Sequence, residues 1–119
     1  MEFRTISRDG VTIGEVISDE ILFKTVPEGT DFVGNLYYAG FDNVVLDERN
    51  VFPDFFDLKT GLAGEVLQKF TNFRIRVAIF GDFTKYGGKS WKDFMLESNQ
   101  WRQISFAPSR EAAIDALLK

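Results

Sequence analysis

The chain has 119 residues, of which 45% are hydrophobic and 27% charged, a length and composition typical of one globular domain rather than of a disordered chain or a coiled coil. It has no cysteine and no histidine, which excludes disulfides, Cys/His zinc sites and every catalytic triad or dyad that needs histidine. The net charge of −4 gives no attraction for phosphate backbones or anionic lipid, so neither nucleic acid nor a membrane surface is expected as a partner.

The start of the chain lacks the basic stretch and the apolar run of a secretory signal. No segment approaches the run of about 18 apolar residues that a membrane span requires. We therefore expect a cytoplasmic protein. Because the sites that depend on histidine and cysteine are excluded, no cofactor is expected.

The chain begins with a predicted β-hairpin. Apolar and polar residues alternate over residues 3–6 and 11–17, on either side of the dipeptide Asp9-Gly10, which is favoured in tight hairpin turns. A first helix is predicted over residues 26–38, because apolar side chains recur there at helical spacing.

A strand and a second helix follow. The short apolar run at residues 43–46 is typical of a buried parallel strand. The next helix is marked by an apolar stripe on one face, formed by Leu58, Leu62, Val66, Phe70 and Phe73. Asp57 is its predicted N-cap. Gly61 and Gly64 are predicted to let this helix pack closely against the sheet or, alternatively, against a ligand or partner.

The remaining elements continue the alternation of strands and helices. Residues 74–80 are nearly apolar in their second half, which is typical of a central strand. Residues 90–93, Ser-Trp-Lys-Asp, fit a capping box that opens a third helix, and this helix is predicted to reach about Asn99. A short strand at residues 104–106 and a last helix at residues 108–118 complete the chain.

The predicted order is β-β-α-β-α-β-α-β-α. It indicates one α/β domain over residues 1–119, with a mixed, mostly parallel sheet, an N-terminal β-hairpin and helices packed on the sheet. In such a sheet the loops that leave the carboxyl ends of the strands form the usual binding edge.

Acidic residues are frequent in these edge loops, namely Asp47, Glu48, Asp54, Asp57 and Asp82. Their oxygens could gather Mg²⁺ or serve an enzyme, with Asp47, Glu48 and Asp82 as a candidate acidic ligand site. Alternatively, the aspartates cap turns or the helix start, and Asp47 and Glu48 are the solvated end of a strand. The pattern alone assigns no metal and no catalytic residue.

Residues 81–90 end in Gly-Lys-Ser, as phosphate-binding loops do. Such a loop needs a glycine five positions before Gly88, where this chain has Phe83. We therefore interpret the segment as a flexible glycine turn. The lysines of this part of the chain and of the preceding loop are interpreted as solubilising; they are Lys59, Lys85, Lys89 and Lys92.

Aromatic residues lead to two further expectations. Phe52, Phe55 and Phe56 lie in one predicted loop and either fill the end of the core or form a partner-binding surface. Trp91 is expected in the core because its helical neighbours are apolar. The position of Trp101 is left open.

Residues 44–47 and 57–64, the latter Asp-Leu-Lys-Thr-Gly-Leu-Ala-Gly, resemble the anti-sigma-factor antagonist domains, also called STAS domains. In those domains a short buried strand and a loop lead to an Asp-Ser-Ser-Gly-Leu-Gly type motif at a helix start, and the order of elements is similar. The resemblance implies that Thr60 is the residue that a partner kinase phosphorylates. A phosphoryl group there would add about −1.5 to −2 charges beside a helix N-terminus and would act mainly on partner docking.

Over nearly its full length, the chain is also similar to an uncharacterised bacterial family, the domain of unknown function 4180. The likeness is found in segments such as residues 15–20, 53–61 and 97–99. This second resemblance implies no function.

We therefore predict a non-enzymatic regulatory or protein-interaction domain whose protein partner binds the loop from Asp47 to Thr60 and the start of the following helix. The candidate switch and partner-binding residues are Thr60, Asp57, Lys59, Asp54, Phe55 and Phe56. Two alternatives stay open. One is a small-molecule-binding or metal-binding enzyme that uses the acidic loop carboxylates, and the other is a homodimer whose interface contains the loop phenylalanines or Trp101.

Overall fold

The N-terminal hairpin provides the first two strands of the sheet. β1 (Glu2–Arg8) and β2 (Val11–Ile17) pair antiparallel. Asp9 and Gly10 between them have φ angles of 52° and 79°, the left-handed backbone that a tight hairpin turn needs. The predicted hairpin is confirmed.

The structure is a computed structural model that describes residues 2–86 and 88–119. Within these residues the sheet has five strands in the order β1–β2–β3–β4–β5. β3 (Asn43–Asp47), β4 (Arg76–Phe80) and β5 (Ile104–Ala107) run parallel to β2 and to one another. Strands that follow each other in sequence are therefore neighbours in space, and the predicted mixed, mostly parallel sheet is confirmed.

Helices cover both faces of the sheet. α1 (Val26–Tyr38), α2 (Leu62–Asn72) and α3 (Lys89–Trp101) share one hydrophobic core with the strands. α4 (Arg110–Leu117) packs in a second core on the opposite face. In the described part of the chain, the helices are too short or too polar to cross a membrane.

The alternation of side chains along the strands assigns residues to the two cores. Val44 and Leu46 of β3 belong to the core under α1, α2 and α3, whereas Val45 between them belongs to the core under α4. Ala78 of β4 and Ala113 of α4 are fully buried in this second core. Their small side chains allow α4 to lie close to the sheet.

α2 begins later than the apolar stripe predicts. Leu58–Thr60 forms a short 3-10 turn that Asp57 caps. The α-helix starts only at Leu62, because Gly61 has a φ of 76°, which interrupts the helical backbone. Asp57 is therefore not the N-cap of α2. The prediction of close helix–sheet packing at Gly61 and Gly64 is also wrong, since a Cβ built on either residue has no described atom within 4 Å apart from its chain neighbours and the backbone of its own helix.

α3 also starts at a different residue. Its N-cap is Gly88, with a φ of 97°, and Ser90 lies within the first turn instead of at the predicted N-cap position. In contrast, α1 and α4 have side-chain caps. Thr25 and Ser109 each accept a hydrogen bond from a first-turn amide at 3.2 Å.

Candidate functional site

Three aspartates shape the loops at the carboxyl edge of the sheet in the same way. Asp47 after β3, Asp57 in the loop before α2, and Asp82 after β4 each accept a hydrogen bond from the amide two residues later, at 2.9, 3.1 and 3.1 Å. Each carboxylate thereby starts a short 3-10 turn. Asp57 thus caps a turn, as one of the two interpretations of the acidic residues predicted.

The same hydrogen bonds set the acidity of two of these groups. Partial burial disfavours the charged form of Asp47, but the hydrogen bonds and the positive charge of Arg49 outweigh burial and lower the pKa of Asp47. Hydrogen bonds from Thr84 lower the pKa of Asp82. Across residues 2–86 and 88–119, no three His, Cys, Asp or Glu side chains are grouped so as to hold a metal ion. The structure therefore does not bring Asp47, Glu48 and Asp82 together as a three-carboxylate ligand set.

Glu48 is buried, with only 5% of its surface exposed. One carboxylate oxygen accepts a hydrogen bond from Lys85 Nζ at 2.7 Å, and the other accepts one from Tyr86 Oη at 2.9 Å. Gly81 leaves room for this side chain, because a Cβ on Gly81 would clash with Glu48 Cγ. The interpretation of Glu48 as a solvated strand end is therefore wrong. Its contacts join the loop after β3 to the loop after β4.

The carboxylate of Glu48 also affects the titration of its two donors. The hydrogen bond to Glu48 raises the pKa of Lys85. Burial, together with the hydrogen bond to Glu48, raises the pKa of Tyr86. At neutral pH the lysine therefore stays charged and the tyrosine stays protonated, so both remain donors to Glu48.

An aromatic cluster packs beneath these two loops. The rings of Phe56 and Tyr86 stack with their centroids 4.2 Å apart, and Trp91 meets Phe56 edge-on at 5.4 Å. Phe55, Phe56 and Trp91 are 1%, 4% and 2% exposed, and Phe52 packs partly buried against the same core. The expected core position of Trp91 is confirmed. Phe55 and Phe56 fill the end of the core and do not form a surface on which a partner could dock.

A cleft of about 860 Å³ opens between the loop after β3 and the start of α3. Lys59 lines one side of it, and Lys85 and Lys89 line the other, with Asp57 among the remaining lining residues. Three of the lysines that the sequence assigns to solubility therefore gather around one opening. The sequence does not show this grouping, because Lys59 is distant from the other two lysines along the chain. The available signal was the Gly-Lys-Ser run at residues 88–90 between a strand and a helix.

Thr60 is exposed close to the start of α2. Its Oγ1 lies 2.7 Å from the carbonyl oxygen of Asp54 and 2.9 Å from that of Asp57, either of which can accept its proton, and it accepts a hydrogen bond from the Leu62 amide at 3.2 Å. Asp54, Asp57 and Lys59 are exposed as well. Of the residues named for switching and partner binding, these four therefore share the surface of one loop.

Trp101, which the sequence left unplaced, lies at the end of α3 with 77% of its surface exposed. The nearby edge of the sheet is blocked, because the side chain of Asn99 pairs with both the amide and the carbonyl of Phe106 in β5, at 2.7 and 3.3 Å. Adding a strand from another chain at Phe106 would require Asn99 to move. A homodimer whose interface contains Trp101 stays a prediction.

Comparison with known proteins identifies a family. The model of the family described as "Domain of unknown function (DUF4180)" matches residues 8–117 of the chain. No curated protein and no solved structure matches it. The resemblance to domain of unknown function 4180 is thus confirmed.

Proposed function

We propose a function for this chain, which belongs to the DUF4180 family, from the geometry around Thr60. In this proposal the chain is a non-enzymatic regulatory domain with a STAS-like fold. It binds a protein partner through the exposed loop that contains Asp54, Asp57, Lys59 and Thr60 and through the start of α2. Phosphorylation of Thr60 switches that binding. Because the switch depends on an ATP-using kinase, we place the domain in the cytoplasm.

The observation that supports this proposal most directly is that Thr60 is exposed and directly precedes Gly61, the N-cap of α2. The Leu62 amide already uses Thr60 Oγ1 as its acceptor. Gly61, the N-cap of α2, has no side chain with which to bind the other amides of the first turn. A phosphoryl group on Thr60 would meet these donors at the positive end of the helix dipole.

Phosphorylation would change the charge of the loop more than its shape. The surface now combines the carboxylates of Asp54 and Asp57 with the ammonium group of Lys59. A phosphoryl group adds about −1.5 to −2 charges to it and removes the hydroxyl proton of Thr60. We expect a partner that accepts the unphosphorylated loop to be repelled by the phosphorylated one.

The order of elements supports the STAS-like part of the proposal. A leading hairpin is followed by parallel strands in sequential order, and Thr60 lies in the loop between β3 and α2. The resemblance to STAS domains implies this order of elements and a switch residue between a strand and the following helix.

The proposal is tested with Thr60→Glu, which mimics the phosphorylated charge, and with Thr12→Glu as a matched control. Thr12 is exposed on β2 near the hairpin turn, at the opposite end of the sheet. Wild type and both variants serve as baits in extract from the native cell, with bound proteins quantified by mass spectrometry. We expect a partner that wild type and Thr12→Glu retain and that Thr60→Glu loses.

The same mass spectrometry should find phosphothreonine at position 60 in protein recovered from the cell. Circular dichroism checks that Thr60→Glu is folded. Identical partners on all three baits, together with an unmodified Thr60, would contradict the proposal.

A further inference from the structure

The start of α3 leaves its first amides open. Gly88, the N-cap, has no side chain, and Lys89, Ser90 and Trp91 are the first three residues of the helix. The amides of these residues have no acceptor within an α-helix. The helix dipole also gives this end a partial positive charge. Together these features favour an anion, but a helix start alone does not define a site.

A second observation, independent of the backbone amides of α3, comes from the side chain of Trp91. This side chain is 2% exposed and lines the cleft described above. Its indole Nε1 is the one buried side-chain nitrogen or oxygen in the described part of the chain that has no hydrogen-bond partner. Buried donors in native proteins are almost always paired, so an unpaired one in the wall of a cleft is a donor free to bind an acceptor from outside the chain.

Cationic side chains also line the cleft. Three lysines line it against one carboxylate, that of Asp57. Lys85 is already bound to Glu48. Within residues 2–86 and 88–119, the ammonium groups of Lys59 and Lys89 make no hydrogen bond, although Lys89 Nζ lies 3.7 Å from a carboxylate oxygen of Asp93. Lys59 and Lys89 are therefore the cations that remain for a ligand.

We propose that this cleft binds a small anion of the phosphate class, either inorganic phosphate or the phosphomonoester group of a small molecule. The donors are the amides at the start of α3, the ammonium groups of Lys59 and Lys89, and the indole N–H of Trp91. Phosphate suits this set because it offers several acceptor oxygens and a charge of about −1.5 to −2 to donors that approach from different elements. The volume of about 860 Å³ also leaves room for the rest of a phosphorylated molecule. The inference does not depend on Thr60 or on the proposed switch.

The test is a titration of the full chain with sodium phosphate, followed by two-dimensional ¹H–¹⁵N NMR at constant ionic strength. The chain has two tryptophans, so the exposed indole of Trp101 serves as an internal control. We expect saturable shifts of the Trp91 indole signal and of the Ser90 and Trp91 amides, with no shift at Trp101 and none when chloride replaces phosphate.

Variants assign the binding to these donors. The double variant Lys59→Gln/Lys89→Gln is expected to weaken phosphate binding about tenfold or more, because two charge-assisted contacts are lost. Lys24→Gln, which removes an exposed lysine before α1, is the matched control and should bind as wild type. Trp91→Phe keeps an aromatic ring but lacks the N–H, and should weaken binding about threefold or more, as read from the amide shifts.

A parallel titration with glycerol 3-phosphate separates the two sources of the anion. Tighter binding than inorganic phosphate assigns the site to a phosphorylated small molecule, and equal or weaker binding assigns it to phosphate itself. The proposal is overturned if the Trp91 signals do not saturate, if chloride produces the same shifts, or if the double variant binds as tightly as Lys24→Gln.

Discussion

The helices of this domain start in two different ways. α1 and α4 begin at Thr25 and Ser109, whose hydroxyls bind first-turn amides. α1 is further closed by Glu28, whose carboxylate accepts a hydrogen bond at 2.7 Å from the amide before the N-cap. α2 and α3 begin at Gly61 and Gly88, which have positive φ angles and no side chain.

This difference coincides with the position of the candidate sites. The starts of α2 and α3 adjoin Thr60 and the cleft, whereas the capped starts of α1 and α4 contribute nothing to the lining of that cleft in the described residues. A glycine in place of a capping side chain costs a helix only about a few tenths of a kcal/mol, and it leaves donors available to an outside group. Local side chains therefore fix α1 and α4. The start of α3 is held by tertiary contacts, namely the Glu48 hydrogen bonds and the aromatic cluster around Phe56.

The largest effect is expected from Phe56→Ala, which removes the centre of that aromatic cluster. Phe56 is 4% exposed and contacts the rings of Tyr86 and Trp91. The free energy of unfolding, measured by urea denaturation, should fall by about 3–5 kcal/mol. Phe52→Ala, at a partly buried position of the same loop, should cost clearly less. Equal losses in the two variants would show that the cluster does not hold the glycine-started helices in place.

Glu48→Ala should have the next largest effect. It leaves Tyr86 Oη without its acceptor and Lys85 without its partner, so we expect a loss of about 1–3 kcal/mol in the same measurement. Glu48→Gln keeps one acceptor and should lose less. Glu97→Ala, at an exposed position of α3, is the control and should be nearly neutral. A neutral Glu48→Ala would mean that the two loops are joined by packing alone.

Removing the cap of α4 tests the comparison directly. Ser109→Ala should lower the free energy of unfolding by about 1 kcal/mol, because the Ala112 amide loses its acceptor. Ser90→Ala should change it by less than about 0.5 kcal/mol, because Ser90 lies inside the first turn of α3 and caps nothing. If Ser90→Ala lowers the free energy of unfolding as much as Ser109→Ala does, then Ser90 caps α3 as the sequence predicted, and Gly88 is not its N-cap.

The sequence predicted the order and type of the elements because apolar periodicity reports burial on one face or on both. It misplaced the starts of α2 and α3 for a local reason. The apolar stripe continues back to Leu58, but the left-handed backbone at Gly61 breaks the helix there, and periodicity does not report backbone conformation. Ser90 likewise is a residue type that often caps helices, but the N-cap position of α3 is occupied by Gly88.

The candidate site was less predictable because its groups meet only in three dimensions. Glu48 is buried by Lys85 and Tyr86, which are 37 and 38 residues further along the chain. Phe56 lies in a loop without periodicity, so the sequence could not decide between core and surface. Asp57 was predicted in part: it does cap a turn, which depends only on the amide two residues later, but it is not the N-cap of α2.

The smallest expected effect concerns the pH dependence of stability. The pKa of Asp47 in the folded protein lies below its usual value of 3.8. The unfolded chain therefore takes up a proton at this group before the folded chain does, and stability is lost as the pH falls from about 4 through the lower folded pKa. Asp47→Asn should remove this part of the acid loss. The change should be below about 1 kcal/mol, because Arg49 is 82% exposed and its charge is screened by solvent.

Asp54→Asn is the control for this pH experiment, because it removes an exposed carboxylate from the same loop, one to which no described residue donates a hydrogen bond. In urea denaturation at a series of pH values below 5, the free energy of unfolding should fall less steeply with decreasing pH for Asp47→Asn than for Asp54→Asn. The same pH dependence in both variants would mean that the hydrogen bonds of Asp47 add nothing to the stability of the folded state. The start of the β3–α2 loop would then be held by tertiary contacts, namely the hydrogen bonds of Glu48 to Lys85 and Tyr86 and those of Asn50 to the carbonyls of Ser18 and Glu20. The region around the cleft would then differ from the capped helices still more, because those begin on local side-chain hydrogen bonds.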